Sequence, residues 1–383
     1  MKVFAASRRF RSAVVKWAPK EAPPGVRGAL ASVSESGGGK RFEQEIYEQP
    51  EAIRRQLELG RSSAEAISAE IRRRAPHSLV IAARGSSDNA GRYAQYVFGA
   101  HNRRLVSLAA PSLFTLYRAP PDLRGTLVLG VSQSGRSPDI VAVLEEARRQ
   151  NAHTVAVTRD PDSPLAQVAE QSLLLHGGEE HAIAATKSYS CQLVALAMLS
   201  TALADDAERW KELASLPDAM QAAVEASLRP AEQAARFRQA ERFMVIGRGY
   251  NYATAFEVSL KIQEASYAMA EAYSGADFWH GPAAMIDRGF PVLLVAPSGE
   301  PLGDVSALRD LCVRRRADLI AISDHEEVLA HAAARLPLPA GVREWLSPVT
   351  AVVPGQLFAL HLARARGLDP DQPRGMRKIT ETR

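Results

Sequence analysis

Three landmarks in this chain recur at one fixed offset. Arg84-Gly85 closes the apolar run 79–83, and Arg248-Gly249 closes the run 243–247. Ser134-Gly135 follows a strand-like segment at 126–131, and Ser298-Gly299 follows another at 292–296. Asp160 ends the run 155–158 and Asp324 ends the run 319–322; in all three cases the second landmark lies 164 residues after the first. Three matches at one spacing identify a duplicated unit, which restricts the possible folds more than any other feature of the chain. Each copy alternates short β-prone runs with helical stretches such as 139–150 and 181–204, the pattern of an open, mostly parallel sheet flanked by helices. Ligands of such α/β sheets collect at the carboxyl ends of the strands near the topological switch point. The loops 84–91 and 132–137 are therefore expected to line one crevice.

A chain of 383 residues accommodates two such units, each with a core of its own. The expected division is a basic flexible tail over 1–40, a first domain over 41–216, a second over 217–366 and a turn-rich tail over 367–383. The boundary between copies falls in an Ala-rich helical linker between Leu216-Pro217 and Arg229-Pro230. The net charge of +4 is modest and much of it sits at the start, where Lys2, Arg8, Arg9, Arg11, Lys16 and Lys20 precede the first acid, Glu21. Such a balance gives no reason to expect a nucleic-acid partner. No apolar run is long enough to suggest a membrane span and no secretory segment is apparent, so a cytoplasmic protein is expected. Cys191 and Cys312 stand alone in apolar surroundings, which offers neither a disulfide framework nor metal-ligand spacing. No metal and no organic cofactor is expected.

Three clusters carry candidate chemistry. The first is the loop Ser132-Gln133-Ser134-Gly135-Arg136-Ser137, followed by Pro138-Asp139. Ser137, Pro138 and Asp139 read as N-cap, first-turn proline and first-turn acid of a new helix. A strand, a small-residue loop and a helix N-terminus gather free N–H groups and the positive end of the helix dipole, so a phosphate is the expected guest. Neither nucleotide-binding glycine motif occurs, and an ordinary polar turn fits this loop when it is taken alone. Gly85-Ser86-Ser87-Asp88-Asn89 adds further hydroxyls beside it. The second cluster is Glu257, Lys261 and Glu264, spaced four and three apart on one helix face, a pattern that a solvated salt-bridge ladder shares. The third is His280, between Phe278-Trp279 and Gly281-Pro282, a proton shuttle by residue type and hemmed in by aromatics and a turn.

Seven motifs in order, Gly-Ser-Ser at 85–87, Ser-Gln-Ser-Gly at 132–135, Ala-Thr-Lys-Ser at 185–188, Leu-Lys-x-x-Glu at 260–264, Ala-Glu-Ala-Tyr at 270–273, His-Gly-Pro at 280–282 and Asp-Gln-Pro-Arg at 371–374, resemble the double-SIS sugar isomerase domain of glucosamine-6-phosphate synthase. The resemblance runs from about Phe42 to the C-terminus. It implies two tandem SIS domains, each flavodoxin-like, acting on a small-molecule sugar phosphate. By motif position, Ser87, Ser132, Gln133, Ser134 and Ser137 would hold the phosphate and sugar hydroxyls, and Lys261 would be a further substrate-binding residue. Glu264 would move a proton between C1 and C2. His280, presented by a neighbouring subunit of a homodimer, would open the pyranose ring. Lys378 would take the place of the lysine that forms a Schiff base with the ketose, although substrate anchoring or tail closure would suit it equally.

One departure changes the implied function. The chain begins Met1-Lys2 and has no cysteine before Cys191, so it is expected not to release ammonia from glutamine. The stretch Ser132-Gln-Ser-Gly-Arg-Ser-Pro-Asp139 looks like that of stand-alone SIS-type glucosamine-6-phosphate deaminases, which implies conversion of glucosamine 6-phosphate and water to fructose 6-phosphate and ammonia. The alternatives are a deglycase or deaminase/isomerase for a related amino-sugar phosphate, a synthase using free ammonia, and a non-catalytic sugar-phosphate sensor.

Overall fold

The computed structural model describes residues 38–375 and Lys378. Nearly all of the basic segment assigned to 1–40, and most of the final Met376–Arg383 stretch, lie outside the described residues.

Among the described residues, ten strands form two sheets. The first contains β1 (Ser78–Ala82), β2 (Leu105–Leu108), β3 (Thr126–Val131), β4 (His153–Thr158) and β5 (Gln171–Leu174), in the order β2-β1-β3-β4-β5. The second contains β6 (Arg242–Gly247), β7 (Met269–Ser274), β8 (Pro291–Val295), β9 (Asp318–Ser323) and β10 (Ala334–Pro337), in the order β10-β9-β8-β6-β7. Read from the opposite edge the second order is the first one repeated, so the duplication in the sequence is a duplication of topology. Every strand pair is parallel. β3 and β4 are buried at every position, as expected for parallel strands covered by helices on both faces. The order reverses between β1 and β3, whose ends meet in register at Ala82 and Gly130; this places beside loop 132–137 not a loop over 84–91, as expected, but a short turn that ends at Gly85 and a helix that starts at Ser86.

Among the helices of the described residues, those that organise the layers are α1 (Lys40–Tyr47), α2 (Gln49–Arg74), α3 (Ser86–Asn102), α4 (Pro138–Arg149), α5 (Lys187–Ala204), α6 (Leu216–Ser227), α7 (Tyr252–Ser266), α8 (Leu302–Arg315) and α9 (Ser347–Ala365). α5 and α9 are apolar around most of their circumference and buried along nearly their whole length, because each is enclosed by other elements. The segment Glu344–Ala365 is long and apolar enough to cross a membrane, but 94% of its apolar window is buried within the fold. α9 lies close against α7 at Gly355, where a Cβ would come within 2.3 Å of Val258. Each copy keeps apolar clusters of its own, around Val128 and Leu144 in the first and around Phe243, Leu293 and Ile320 in the second, but the cores are not fully separate. One apolar cluster runs from Phe42 and Ile53 through Tyr93 and Leu193 to Val349 and Leu357, since the long helices of each copy cover the other.

The C-terminal turn region does structural work at the opposite end of the chain. Asp369 accepts the Gly39 N–H at 2.6 Å, and Asp371 accepts those of Arg41 and Phe42 at 2.8 and 3.0 Å. Two carboxylates thus satisfy free donors at the positive end of α1. Arg364 adds an ion pair to Glu43 at 2.6 Å.

His101 lies on the seam between the copies, edge-on to Trp345 at 4.9 Å between centroids and 3.4 Å from the Tyr250 hydroxyl. Burial, reinforced by the Arg209 charge, lowers its pKa to about 4. The unfolded chain, with an ordinary histidine near 6.5, binds more protons between these values. The stability that neutral His101 contributes is therefore complete above about pH 6.5 and is lost as the pH falls toward 4. We expect the wild-type advantage over His101→Phe in urea unfolding to shrink between pH 7 and pH 4.5; a constant difference would refute the assignment.

Candidate active site

The 132–137 loop is built to leave donors free. Ser132 N–H is held by the Val157 carbonyl at 3.0 Å, and Gly135 N–H turns back to Ser132. Gly135 has φ +64, and a Cβ there would lie 2.2 Å from Ser163 Oγ, so only glycine makes this turn. The N–H groups of Gln133, Ser134 and Ser137 donate to nothing among the described residues. Ser137 occupies the N-cap position of α4 in an extended conformation, but its hydroxyl makes no capping bond. The expected side-chain cap is therefore absent, and the hydroxyl remains available. Free N–H groups, hydroxyls and a helix N-terminus converge here as an anion cradle.

The first turn of α3 joins this cradle to the second copy. Ser86 Oγ donates to Glu257 Oε1 at 2.9 Å, and Asn89 Nδ2 donates to Glu257 Oε2 at 2.8 Å. Lys261 Nζ stands 3.3 Å from Ser86 Oγ, 3.4 Å from Glu257 and 2.5 Å from Glu264. The side chains of Glu257 and Lys261 are 0% exposed and that of Glu264 is 18% exposed. The solvated-ladder alternative is thereby excluded: α7 packs against α3, and the charged face is its buried one. Burial would strip the Lys261 proton, but the Glu257 and Glu264 carboxylates outweigh it and hold the ammonium above the usual lysine range. Burial pushes the Glu257 carboxyl up, and Lys261 and Asn89 only partly offset it. At the 164-residue offset, the first copy has Tyr93, Val97 and Ala100 in place of these three residues.

Helix α5 completes the wall. Gln192 Nε2 donates to Ser87 Oγ at 2.8 Å, so the Ser87 hydroxyl proton is free to point elsewhere. The helix expected over 181–204 begins only at Lys187. The physical reason is Glu180, whose carboxylate takes the N–H groups of Thr186 and Ser188 at 2.9 and 3.0 Å and holds the preceding backbone in a loop. Lys378 Nζ binds the same carboxylate at 2.7 Å and the Ala182 carbonyl at 2.5 Å. Burial would raise the Glu180 carboxyl, but the Lys378 charge and the N–H donors outweigh it, and the shift is downward.

The corresponding loop of the second copy is closed. Asp324 takes the Ser298 N–H at 2.8 Å and its hydroxyl at 2.5 Å, and Glu344 takes the Glu300 N–H at 2.9 Å. Two carboxylates already occupy the donors that an anion would need.

Of the residues singled out from the sequence, Lys261 and Glu264 join Ser86, Asn89 and Glu257 in one network, on the side of the sheet end that bears Ser132, Gln133, Ser134 and Ser137; Ser87 adjoins Ser86 in sequence but is held by Gln192 instead. His280 and Lys378 do not join it. His280 is exposed, and its ring makes no hydrogen bond among the described residues; only Phe278 beside it is buried, while Trp279 is 45% exposed. The reading of a histidine hemmed in by aromatics is corrected accordingly. Sequence reasoning missed Glu180 and gave Arg84 no role beyond marking the repeat. Their positions, beside Ala-Thr-Lys-Ser and directly before Gly-Ser-Ser, were the available signals.

Comparison with known proteins agrees with this architecture. The family model described as the SIS domain matches residues 74–202 and again 236–366. The glutamine–fructose-6-phosphate aminotransferase (isomerizing) of Thermococcus kodakarensis is 33% identical over 344 residues, which cover 88% of this chain and 57% of that protein. The chain thus spans little more than half of that relative's length. The C-terminal domain of glucosamine-fructose-6-phosphate aminotransferase from Francisella tularensis superposes with a TM-score of 0.80 at 28% identity, covering 89% of this chain and 100% of that domain. Glucosamine-6-phosphate deaminase from Thermotoga maritima superposes with a TM-score of 0.73 at 21% identity, covering 90% of this chain and 100% of that one, a likeness of fold alone.

Proposed function

From the premise that this chain belongs to the SIS domain family, carrying the domain twice, we propose that it is an amino-sugar phosphate deaminase converting glucosamine 6-phosphate and water to fructose 6-phosphate and ammonia. The observation that carries this reading is the asymmetry between the copies. The open anion cradle is in the first copy, the buried Glu257–Lys261–Glu264 chain is in the second, and Ser86 bridges them.

The phosphate is held by the 132–137 loop, away from the reacting carbons, and fixes the sugar for proton transfer. His280 serves ring opening from a neighbouring subunit of a dimer, which suits its exposed position. Glu264 takes the proton from C2 and returns it to C1 while the aldehyde oxygen gains, by way of solvent, the proton that the C2 nitrogen gives up, so the amino-aldose becomes a ketose imine. Water adds at C2 and ammonia leaves. Lys261 stays charged and holds the Glu264 carboxyl in place at 2.5 Å. Lys378 is engaged by Glu180 and Ala182, which supports a tethering role for it and leaves imine hydrolysis to water.

The test is an ammonia assay. Glucosamine 6-phosphate is expected to give equimolar ammonia and fructose 6-phosphate. N-acetylglucosamine 6-phosphate is expected to give none, because its nitrogen is an amide. Absence of ammonia from both glucosamine 6-phosphate and galactosamine 6-phosphate would overturn the reading.

A further inference from the structure

One group in the crevice between β1 and β3 has no part in the reaction just described. Arg84 Nε donates to Asp139 Oδ2 at 2.8 Å, with the Asp139 side chain 2% exposed and that of Arg84 51% exposed. Asp139 lies in the first turn of α4, two residues beyond Ser137, while the Arg84 carbonyl accepts the Ser87 N–H at 3.1 Å. The arginine therefore spans the two loops that line the crevice. It is anchored through Nε alone, and its two terminal nitrogens donate to nothing among the described residues. Arg136, the cation within the loop itself, is exposed and directed to Asp160 at 3.4 Å. Apart from it, the loop's side chains offer only neutral donors to a phosphate dianion.

We infer that Arg84 is a further substrate-binding residue, which presents its two terminal nitrogens to the phosphoryl oxygens held by the 132–137 loop and so selects sugar phosphates over neutral sugars. This rests on the reading of that loop as the phosphate site. A guanidinium pinned at one edge keeps its remaining N–H groups in a fixed fork, the geometry that two phosphoryl oxygens match. Asp139 acts as a positioning residue, since its buried carboxylate fixes the plane of the fork. The second copy holds an internal control. Arg248 forms the related pair to Asp304 at 2.7 Å, with Asp304 60% exposed rather than buried, and the loop beside it is filled by Asp324 and Glu344, so Arg248 has no anion to bind.

Titration calorimetry with inorganic phosphate and with glucosamine 6-phosphate tests this. Arg84→Gln is expected to weaken both by about 10- to 100-fold, the loss of one or two charge-assisted hydrogen bonds, with kcat nearly unchanged; Arg248→Gln is expected to bind both as wild type does. Should the single variant fold poorly because Asp139 is left unpaired, the double variant Arg84→Gln with Asp139→Asn removes the buried charge and is expected to show the same loss. Wild-type affinity in the Arg84 variants, with weakened binding in Ser134→Ala/Ser137→Ala, would overturn the role of Arg84 alone. Wild-type affinity in both sets would overturn the loop as phosphate site, and Arg84 with it.

Discussion

Replacing Glu264 with Gln is expected to lower kcat for ammonia release by about 10²- to 10⁴-fold, the usual contribution of a positioned general base, while KM changes by no more than about threefold. The geometry requires this separation. Glu264 is 18% exposed and lies 2.5 Å from Lys261, whereas the anion cradle sits on a different loop of the other copy. Glutamine fills the same volume, and Lys261 keeps Glu257 as a partner at 3.4 Å, so the variant is expected to fold. A variant with full turnover in a coupled ammonia assay would remove Glu264 from the mechanism, and one that lost binding and turnover together would make it a substrate anchor.

The second large effect concerns stability. Lys261→Met should destabilise the fold by about 3–5 kcal/mol, because removal of the central cation leaves the Glu257 carboxylate buried without its counter-charge. Ser86 and Asn89 still donate to Glu257 at 2.9 and 2.8 Å, but two neutral hydrogen bonds do not replace an ammonium. The melting temperature is expected to fall on the order of 10 °C. Adding Glu257→Gln to this variant should recover much of the loss, since it removes the stranded charge. Scanning calorimetry of both variants decides the point: a Lys261→Met protein that melts with the wild type would mean that the network is solvated in solution.

Much of the architecture was legible in the chain. The 164-residue offset led to two copies of one topology because parallel strands buried on both faces appear as short continuous apolar runs, and these survive duplication. The 132–137 loop stood out because strand, glycine turn and helix start are local features. Burial was not legible in the same way. Residues spaced four and three apart share a face whatever that face meets, so Glu257, Lys261 and Glu264 could not be distinguished from a surface ladder by spacing. Glu180 was hidden for a related reason: one acid among neighbours, its role created by N–H groups that follow it and by a lysine 198 residues away.

What the sequence determined by itself was the repeat, the sheet type and the local shape of the anion loop, all set by interactions within a few residues of chain. The tertiary structure decided which copy keeps its loop donors free. It sets Ser86 of one repeat against Lys261 of the next and fills the second copy's loop with Asp324 and Glu344. Charges that near-identical topologies bring together over such distances acquire their energies from burial and from one another, and those energies exist only once the helices have packed.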